Sequence, residues 1–249
     1  MGGALGRMGQ AMAAVAAGRT DIEIGARFDR PGSDGEGLVD HDTALGLCEV
    51  IVDFSSPAAS VALATAAAKR GGPALVIGAT GFAAAEDDAI ATAAQRIAIV
   101  KSGNYSIGVN VLAQLVREAA ARLGPELWDV EIFEAHHRRK LDAPSGTAKL
   151  LGEAAAAGRG AILAELQFPL REGLTGPRET GGIGFSAMRA GGLVGEHSVV
   201  FAAEEEIITL SHSARDRALF ARGALAAALW VRGRAPGLYG MPEVLGFGG

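Results

Sequence analysis

In the first hundred positions the apolar residues form short unbroken runs, with no polar alternation. Val50-Ile51-Val52, Ala74-Leu75-Val76-Ile77 and Ile97-Ala98-Ile99-Val100 are rich in β-branched residues, the pattern of strands covered on both faces. The Ala-rich segments between them, Pro57 to Arg70 and Ala83 to Gln95, have helical composition. Strand and helix alternate, which predicts a parallel α/β sheet.

After Asn104 the pattern changes. Ile107 to Leu123 is predicted as an amphipathic helix, with Val111, Leu115 and Leu123 on apolar positions and Arg117, Glu118 and Arg122 outside. Trp128 to Ala135 reads as a strand. Three further strands, Ile183 to Arg189, His197 to Ala202 and Glu206 to Ser213, are separated by turns around Gly191-Gly192 and Glu204-Glu205 and are expected to form a meander. A last Ala-rich helix runs from Asp216 to Trp230. The expected division is one domain of residues 1–106 with 216–249 and a second, an α+β domain with an open mixed sheet, of residues 107–215.

Composition narrows the function classes. The chain has 249 residues, 49% of them apolar and 20% charged, with a net charge of −5, enough for one large or two ordinary domains. Its single cysteine, Cys48, excludes an intrachain disulfide and a Cys-based zinc cluster and fits a reducing, cytoplasmic setting. Mild acidity argues against a nucleic-acid partner. The longest apolar runs, Ala11 to Ala17 and Ala224 to Trp230, fall short of the about 20 residues that span a bilayer, so no membrane partner is expected. Met1 to Gly18 superficially resembles a signal peptide, but glycines interrupt its first half.

Gly3-Ala4-Leu5-Gly6-Arg7-Met8-Gly9 leads into an Ala-rich helix predicted over Gln10 to Ala17. Such a loop lets backbone approach a pyrophosphate, and the positive end of the helix attracts it. Asp29 lies 20 residues beyond Gly9, after the strand-like Ile22 to Phe28, where a carboxylate accepts from an adenosine ribose. Arg30 follows and suits a 2′-phosphate. Leu5 stands where the middle glycine of the fingerprint would be, so an ordinary glycine turn is the competing reading. A Rossmann-like sheet places its first strand ahead of this loop. Only Met1 and Gly2 precede it here, so that strand is expected to be missing, through a misplaced start or a trimmed chain, with four to six Val, Ile or Ala residues expected upstream.

The segment Glu134 to Thr147, EAHHRRKLDAPSGT, gathers two histidines, three fixed cations and a helix-start signal. Ser145 is expected to cap the helix through Ala148 to Ala157, turning the amides of Gly146 and Thr147 outward as anion donors. Lys140 beside those amides makes a carboxylate receptor, and an adjacent histidine can move a proton near neutral pH. The competing reading is a solvated basic loop. Adjacent histidines without a third ligand make a poor zinc site, and no metal is expected.

The glycine loop, the E-A-H-H-x-x-K-x-D-x-P-S-G-T-A pattern from Glu134, and Arg189-Ala190-Gly191 with Gly195-Glu196-His197 together resemble the 4-hydroxy-tetrahydrodipicolinate (dihydrodipicolinate) reductases of diaminopimelate and lysine biosynthesis. The resemblance covers nearly the whole chain. It implies hydride transfer from NADH or NADPH to a conjugated cyclic imine with two carboxylates, in a cleft between the domains that closes to exclude water. It further implies that His136 is the general acid/base and Lys140 a proton donor. His137, Ser145, Gly146 and Thr147 would hold the small dicarboxylate substrate.

Gly3, Ala4, Leu5, Gly6, Arg7, Met8, Asp29 and Arg30 are the expected cofactor contacts, with Gly78, Ala79 and Thr80 after the second run and Ser102, Gly103, Asn104 and Tyr105 after the third. Ordinary turn chemistry competes at those last two loops, and Ser56 stands where relatives can carry a basic residue. A homotetramer is implied as well. Met8, Met12 and Met188 are expected to pack, Glu204 to Glu206 to form a solvated turn, and His197 to support the site from a neighbouring strand. Another nicotinamide oxidoreductase and a non-catalytic ligand-binding relative are the alternatives.

Overall fold

The three apolar runs become β1 (Val50–Asp53), β2 (Ala74–Ile77) and β3 (Ala98–Lys101) of one parallel sheet in this computed structural model, which describes residues 1–247. A strand not foreseen, β8 (Gly237–Tyr239), continues it in the order β1-β2-β3-β8. Successive residues point to opposite faces of a strand, and here both faces are covered. Ile51, Leu75, Ile77 and Ile99 pack with residues of α3 (Pro57–Arg70) and α4 (Ala84–Ala94). Val52, Val76 and Val100 pack with Met12 of α1 (Arg7–Ala16) and Ala221, Ala224 and Ala227 of α8 (Ala218–Val231). Two-sided burial is why no polar residue alternates in these runs. Short helices α2 (His41–Leu47) and α9 (Met241–Val244) were also not foreseen.

The chain divides into two compact units, 1–107 with 217–249 and 108–216. Gly248 and Gly249, which end the segment expected in the first domain, lie outside the described residues.

Two expectations for the first unit are corrected. Ile22 to Phe28 is not a strand: only Arg27 and Phe28 form bridges, to Leu38 and Gly2. The helix expected from Gln10 begins at Arg7, inside the glycine loop. Met1 and Gly2 lie between Phe28 and β1. Gly2 bridges in parallel to both Phe28 and Asp53, its N–H donating to the Val52 carbonyl at 2.9 Å while the Phe28 N–H donates to the Met1 carbonyl at 3.0 Å. The Met1 ammonium donates to the Ala26 carbonyl at 2.9 Å. Beside Met1, between Ile22–Ala26 and Glu49–Val52, lies a cavity of about 380 Å³ walled also by Met12, Leu225 and Leu229.

The second unit holds α5 (Ile107–Arg122), β4 (Asp129–His136), α6 (Gly146–Gly158), α7 (Leu163–Leu166), β5 (Ile183–Arg189), β6 (Glu196–Ala202) and β7 (Ile207–Ser213). Its sheet has the order β5-β4-β6-β7, with β4 parallel to β5 and antiparallel to β6. This is mixed, as expected, but it is not a meander, because β5 neighbours β4 and not β6. The chain after β5 crosses the end of β4, where Ala190 N–H donates to the His136 carbonyl and Arg138 N–H to the Gly191 carbonyl. Gly191-Gly192 is thus a crossing and not a hairpin turn. Val130, Ile132, Glu134 and His136 alternate onto one face of β4, and the first two join Val116, Leu151, Val199 and Phe201 in the core. Met188, expected to pack, is 42% exposed.

Candidate functional site

In the first unit the glycine loop closes on itself: Gly6 N–H donates to the Gly3 carbonyl at 3.0 Å. Gly3 has φ +65°, a conformation that favours glycine. A Cβ on Gly9 would lie 2.4 Å from the Gly3 carbonyl and 2.6 Å from that of Ala4, so only glycine lets α1 rest on the loop. Gly6 caps that helix without a side chain, which leaves its first amides for an anion.

Asp29 is tied to this loop. Its Oδ2 accepts from the Leu5 amide at 2.8 Å and its Oδ1 from the Arg30 amide at 2.9 Å; the Leu5 bond, then the Arg30 bond, hold the carboxyl below its usual range. Leu5, in the middle-glycine position, is 39% exposed, its amide turned to Asp29. The Arg30 side chain is 91% exposed. Ala4 is fully buried, so only its backbone can face a ligand.

The other two loops expected to contact a cofactor follow the C-terminal ends of β2 and β3. A Cβ on Gly78 would lie 2.1 Å from the Phe54 ring, and one on Gly103 would touch Thr80 at 3.8 Å, so the two loops are neighbours. Ser102 Oγ donates to the Asn104 carbonyl at 2.9 Å. Tyr105, like Ala4, can face a ligand only through its backbone. Its side chain is buried and its hydroxyl donates to the Ile77 carbonyl at 2.7 Å, while burial pushes its pKa up. Ser56 caps α3, accepting from Ala59 N–H at 3.4 Å.

The second unit gathers the residues expected to handle protons at the C-terminal end of β4. His136 is 9% exposed, and its Nδ1 lies 2.6 Å from Glu134 Oε2. Arg189, register partner of His136 on β5, grips both oxygens of Glu134 at 2.7 and 2.6 Å. Glu134 Oε1 also accepts from the Ser145 amide at 3.0 Å. Burial raises the Glu134 pKa, but the bonds from Arg189, His136 and Ser145 outweigh it and hold the carboxylate below its ordinary range.

Ser145 caps α6 as expected, its Oγ accepting from Ala148 N–H at 3.1 Å and lying 3.1 Å from His197 Nε2. It is 1% exposed, so it shapes the turn and leaves Gly146 and Thr147 as the residues that can face a ligand. Burial, then the neighbouring His136, lowers His197 to about 4. Its ring is therefore neutral near pH 7. Lys140 Nζ lies 2.8 and 2.9 Å from the two oxygens of Asp142. The turn places His137 before it, with Lys140 N–H donating to the His137 carbonyl at 3.1 Å.

Sequence reasoning gave no role to Glu134, Asp142 or Gly195. Glu134 had a signal: two residues before His136 in a strand, it must share that face. Among the described residues no cluster of three His, Cys, Asp or Glu side chains is placed to hold a metal ion, and no helix is long and apolar enough to cross a membrane.

Comparisons with known proteins cover both units. The family described as dihydrodipicolinate reductase, N-terminus, matches residues 1–105, and that described as dihydrodipicolinate reductase, C-terminus, matches residues 108–245. The 4-hydroxy-tetrahydrodipicolinate reductase of Caulobacter vibrioides is 62% identical over 98% of this chain and 95% of its own. That of Brucella abortus is 56% identical over 79% of this chain and 73% of its own. Among solved structures, the dipicolinate-bound dihydrodipicolinate reductase of Paenisporosarcina sp. TG-14 superposes with a TM-score of 0.79 at 24% identity, covering 97% of each chain. At that identity it speaks for the fold.

Proposed function

This chain belongs to the dihydrodipicolinate reductase family, and we infer that it performs the family's reduction with His136 and Lys140 as its proton-handling groups. It is an NAD(P)H-dependent 4-hydroxy-tetrahydrodipicolinate reductase of diaminopimelate and lysine biosynthesis. The observation that carries the assignment of residues is the cluster at the end of β4, where His136 is held by a buried carboxylate beside the start of α6.

NADH or NADPH fits the first unit. The close backbone approach at Gly9 and the uncapped start of α1 make room and charge for a pyrophosphate. Gly3, Ala4, Leu5, Gly6, Arg7 and Met8 would hold it through backbone, with Asp29 and Arg30 at the adenosine ribose. Gly78, Ala79, Thr80, Ser102, Gly103 and Asn104 would line the sheet end nearer the nicotinamide. Bound there, the reduced nicotinamide supplies hydride.

The substrate is a small dicarboxylate. The amides of Gly146 and Thr147 hold one carboxylate at the α6 start, with Ser145 setting their direction, and His137 holds the other. Lys140 exchanges Asp142 for the incoming anion, and His136 and Lys140 provide the proton that completes the reduction. The setting proposed is cytoplasmic and the assembly a homotetramer. Phe133, Met188 and Ile207 share the outer face of the second sheet and are 40%, 42% and 66% exposed, an apolar surface suited to contact between copies.

The test is a coupled assay in which dihydrodipicolinate is formed in place and nicotinamide oxidation is followed. Oxidation with dihydrodipicolinate, and none with amino-acid semialdehydes, is the expected result. No oxidation with either reduced cofactor overturns the assignment.

A further inference from the structure

We propose that Glu134 is a positioning residue for the reduction, one that fixes His136 in the tautomer bearing its proton on Nδ1 and so leaves Nε2 as the atom that trades a proton with the substrate. The inference rests on the functional reading above and deepens it.

Glu134 and His136 are two residues apart in β4 and therefore on the same face. Arg189 Nη1 and Nη2 donate to the two carboxylate oxygens, and the Ser145 amide donates to Oε1. A fork of this kind binds an ionised carboxylate. An ionised carboxylate has no hydrogen to give, so the hydrogen in its 2.6 Å contact with His136 belongs to Nδ1. A neutral imidazole protonated at Nδ1 is an acceptor at Nε2.

The neighbours agree with that assignment. A Cβ on Gly195 would lie 3.2 Å from His136 Nε2, so a glycine there keeps the approach to this nitrogen open. The His197 ring stands edge-on to His136 with centroids 5.1 Å apart, its own Nε2 engaged with Ser145 Oγ, so it does not compete for the Glu134 carboxylate. The same carboxylate that orients the imidazole also anchors the first residue of the anion-holding turn, tying proton donor and substrate anchor to one buried group.

The decisive measurement is the ¹⁵N spectrum of histidine-labelled wild-type protein, recorded where the ring is neutral and assigned by difference with His136→Gln. Protonated Nδ1 and bare Nε2 are expected. The opposite tautomer overturns the proposal without touching the assignment of the reaction, which the coupled assay decides separately. In Glu134→Gln the amide can also donate to Nδ1, so both tautomers are expected, with kcat lowered about 100-fold, within the range of general acid/base assistance. Dipicolinate affinity and the substrate KM should stay within about threefold, because the amide still accepts from Ser145. A Glu134→Gln enzyme with unchanged kcat, or one that loses dipicolinate binding to the same extent as kcat, overturns the proposal. Should that variant not fold, the wild-type spectrum still decides.

Discussion

Lys140 and Asp142 face each other across one turn, the ammonium bonded to both carboxylate oxygens, at 2.8 and 2.9 Å. The Lys140 side chain is 21% exposed and that of Asp142 61%. The bond to Lys140, ahead of burial, holds the Asp142 carboxyl below its usual range. An internal anion thus occupies the cation assigned to the substrate.

Asp142→Asn should therefore tighten dipicolinate binding. Exposed pairs contribute up to about 1 kcal/mol, so a gain of about threefold in affinity is expected by calorimetry, with the cofactor Kd unchanged. Weaker dipicolinate binding would show that Asp142 orders the turn instead of competing with the ligand.

His136→Gln should lower kcat by roughly 10² to 10⁴-fold, the usual scale of general acid/base assistance, while the Kd for NADH or NADPH stays the same. Unimpaired turnover in the coupled assay would remove His136 from the mechanism.

Gly9→Val should abolish cofactor binding and spare dipicolinate binding. Its Cβ would lie within 2.6 Å of two loop carbonyls, so α1 must move off the loop. Calorimetry with each ligand separately reads this, and retained NADH affinity would count against the glycine loop as the pyrophosphate site.

The burial of His197 makes stability depend on pH. Its ordinary value is 6.5 and its folded value about 4, so between these the unfolded chain binds a proton that the folded chain refuses. Its contribution is complete above pH 6.5 and erodes as the pH falls to 4, by about 3 kcal/mol at most. Denaturant midpoints taken across that window should fall more steeply in the wild type than in His197→Gln; equal slopes would refute the assignment.

Gly223→Ala probes the scaffold. A Cβ there would lie 1.6 Å from the Tyr105 carbonyl, so α8 and the loop after β3 must move apart. Overpacking of this kind costs about 3 kcal/mol, read as a lower thermal midpoint; an unchanged midpoint would mean that α8 adjusts freely.

The sheet of the first unit was legible because its strands are buried on both faces: Ile51 and Val52 point opposite ways into separate cores, and an unbroken apolar run is the trace of that. The second sheet was less so. β5 alternates as a hairpin strand would, and nothing local in Ile183–Arg189 says that its partner is β4, each residue pairing with one 53 positions upstream (183 − 130 = 53). Pairing over such separations is a tertiary decision. Ile22 to Phe28 failed for a related reason, since a strand-like composition needs a partner of its own length and Met1-Gly2 provides a single bridge.

At the site, His136, Lys140 and the cap at Ser145 could be read from motif and helix chemistry. The convergence of Arg189 on Glu134 could not, because it joins side chains 55 positions apart. Tyr105 lay in a loop that pointed to ligand, yet an aromatic ring with nearby carbonyls to satisfy its hydroxyl went inward.

The single bridge between Gly2 and Asp53 leaves the outer side of β1 lightly held. β1 is zipped to β2 along its length but meets the chain on its other edge only at Gly2, and the cavity beside Met1 opens that edge. The glycine loop is consequently moored less by ladder than by two tethers, the Asp29 carboxylate and the Phe28 carbonyl. Amides of Val50 and Ile24 should thus trade deuterium sooner than those of Val76 and Ile99, so that the outer side of β1 breathes while the β2-β3 pair stays shut.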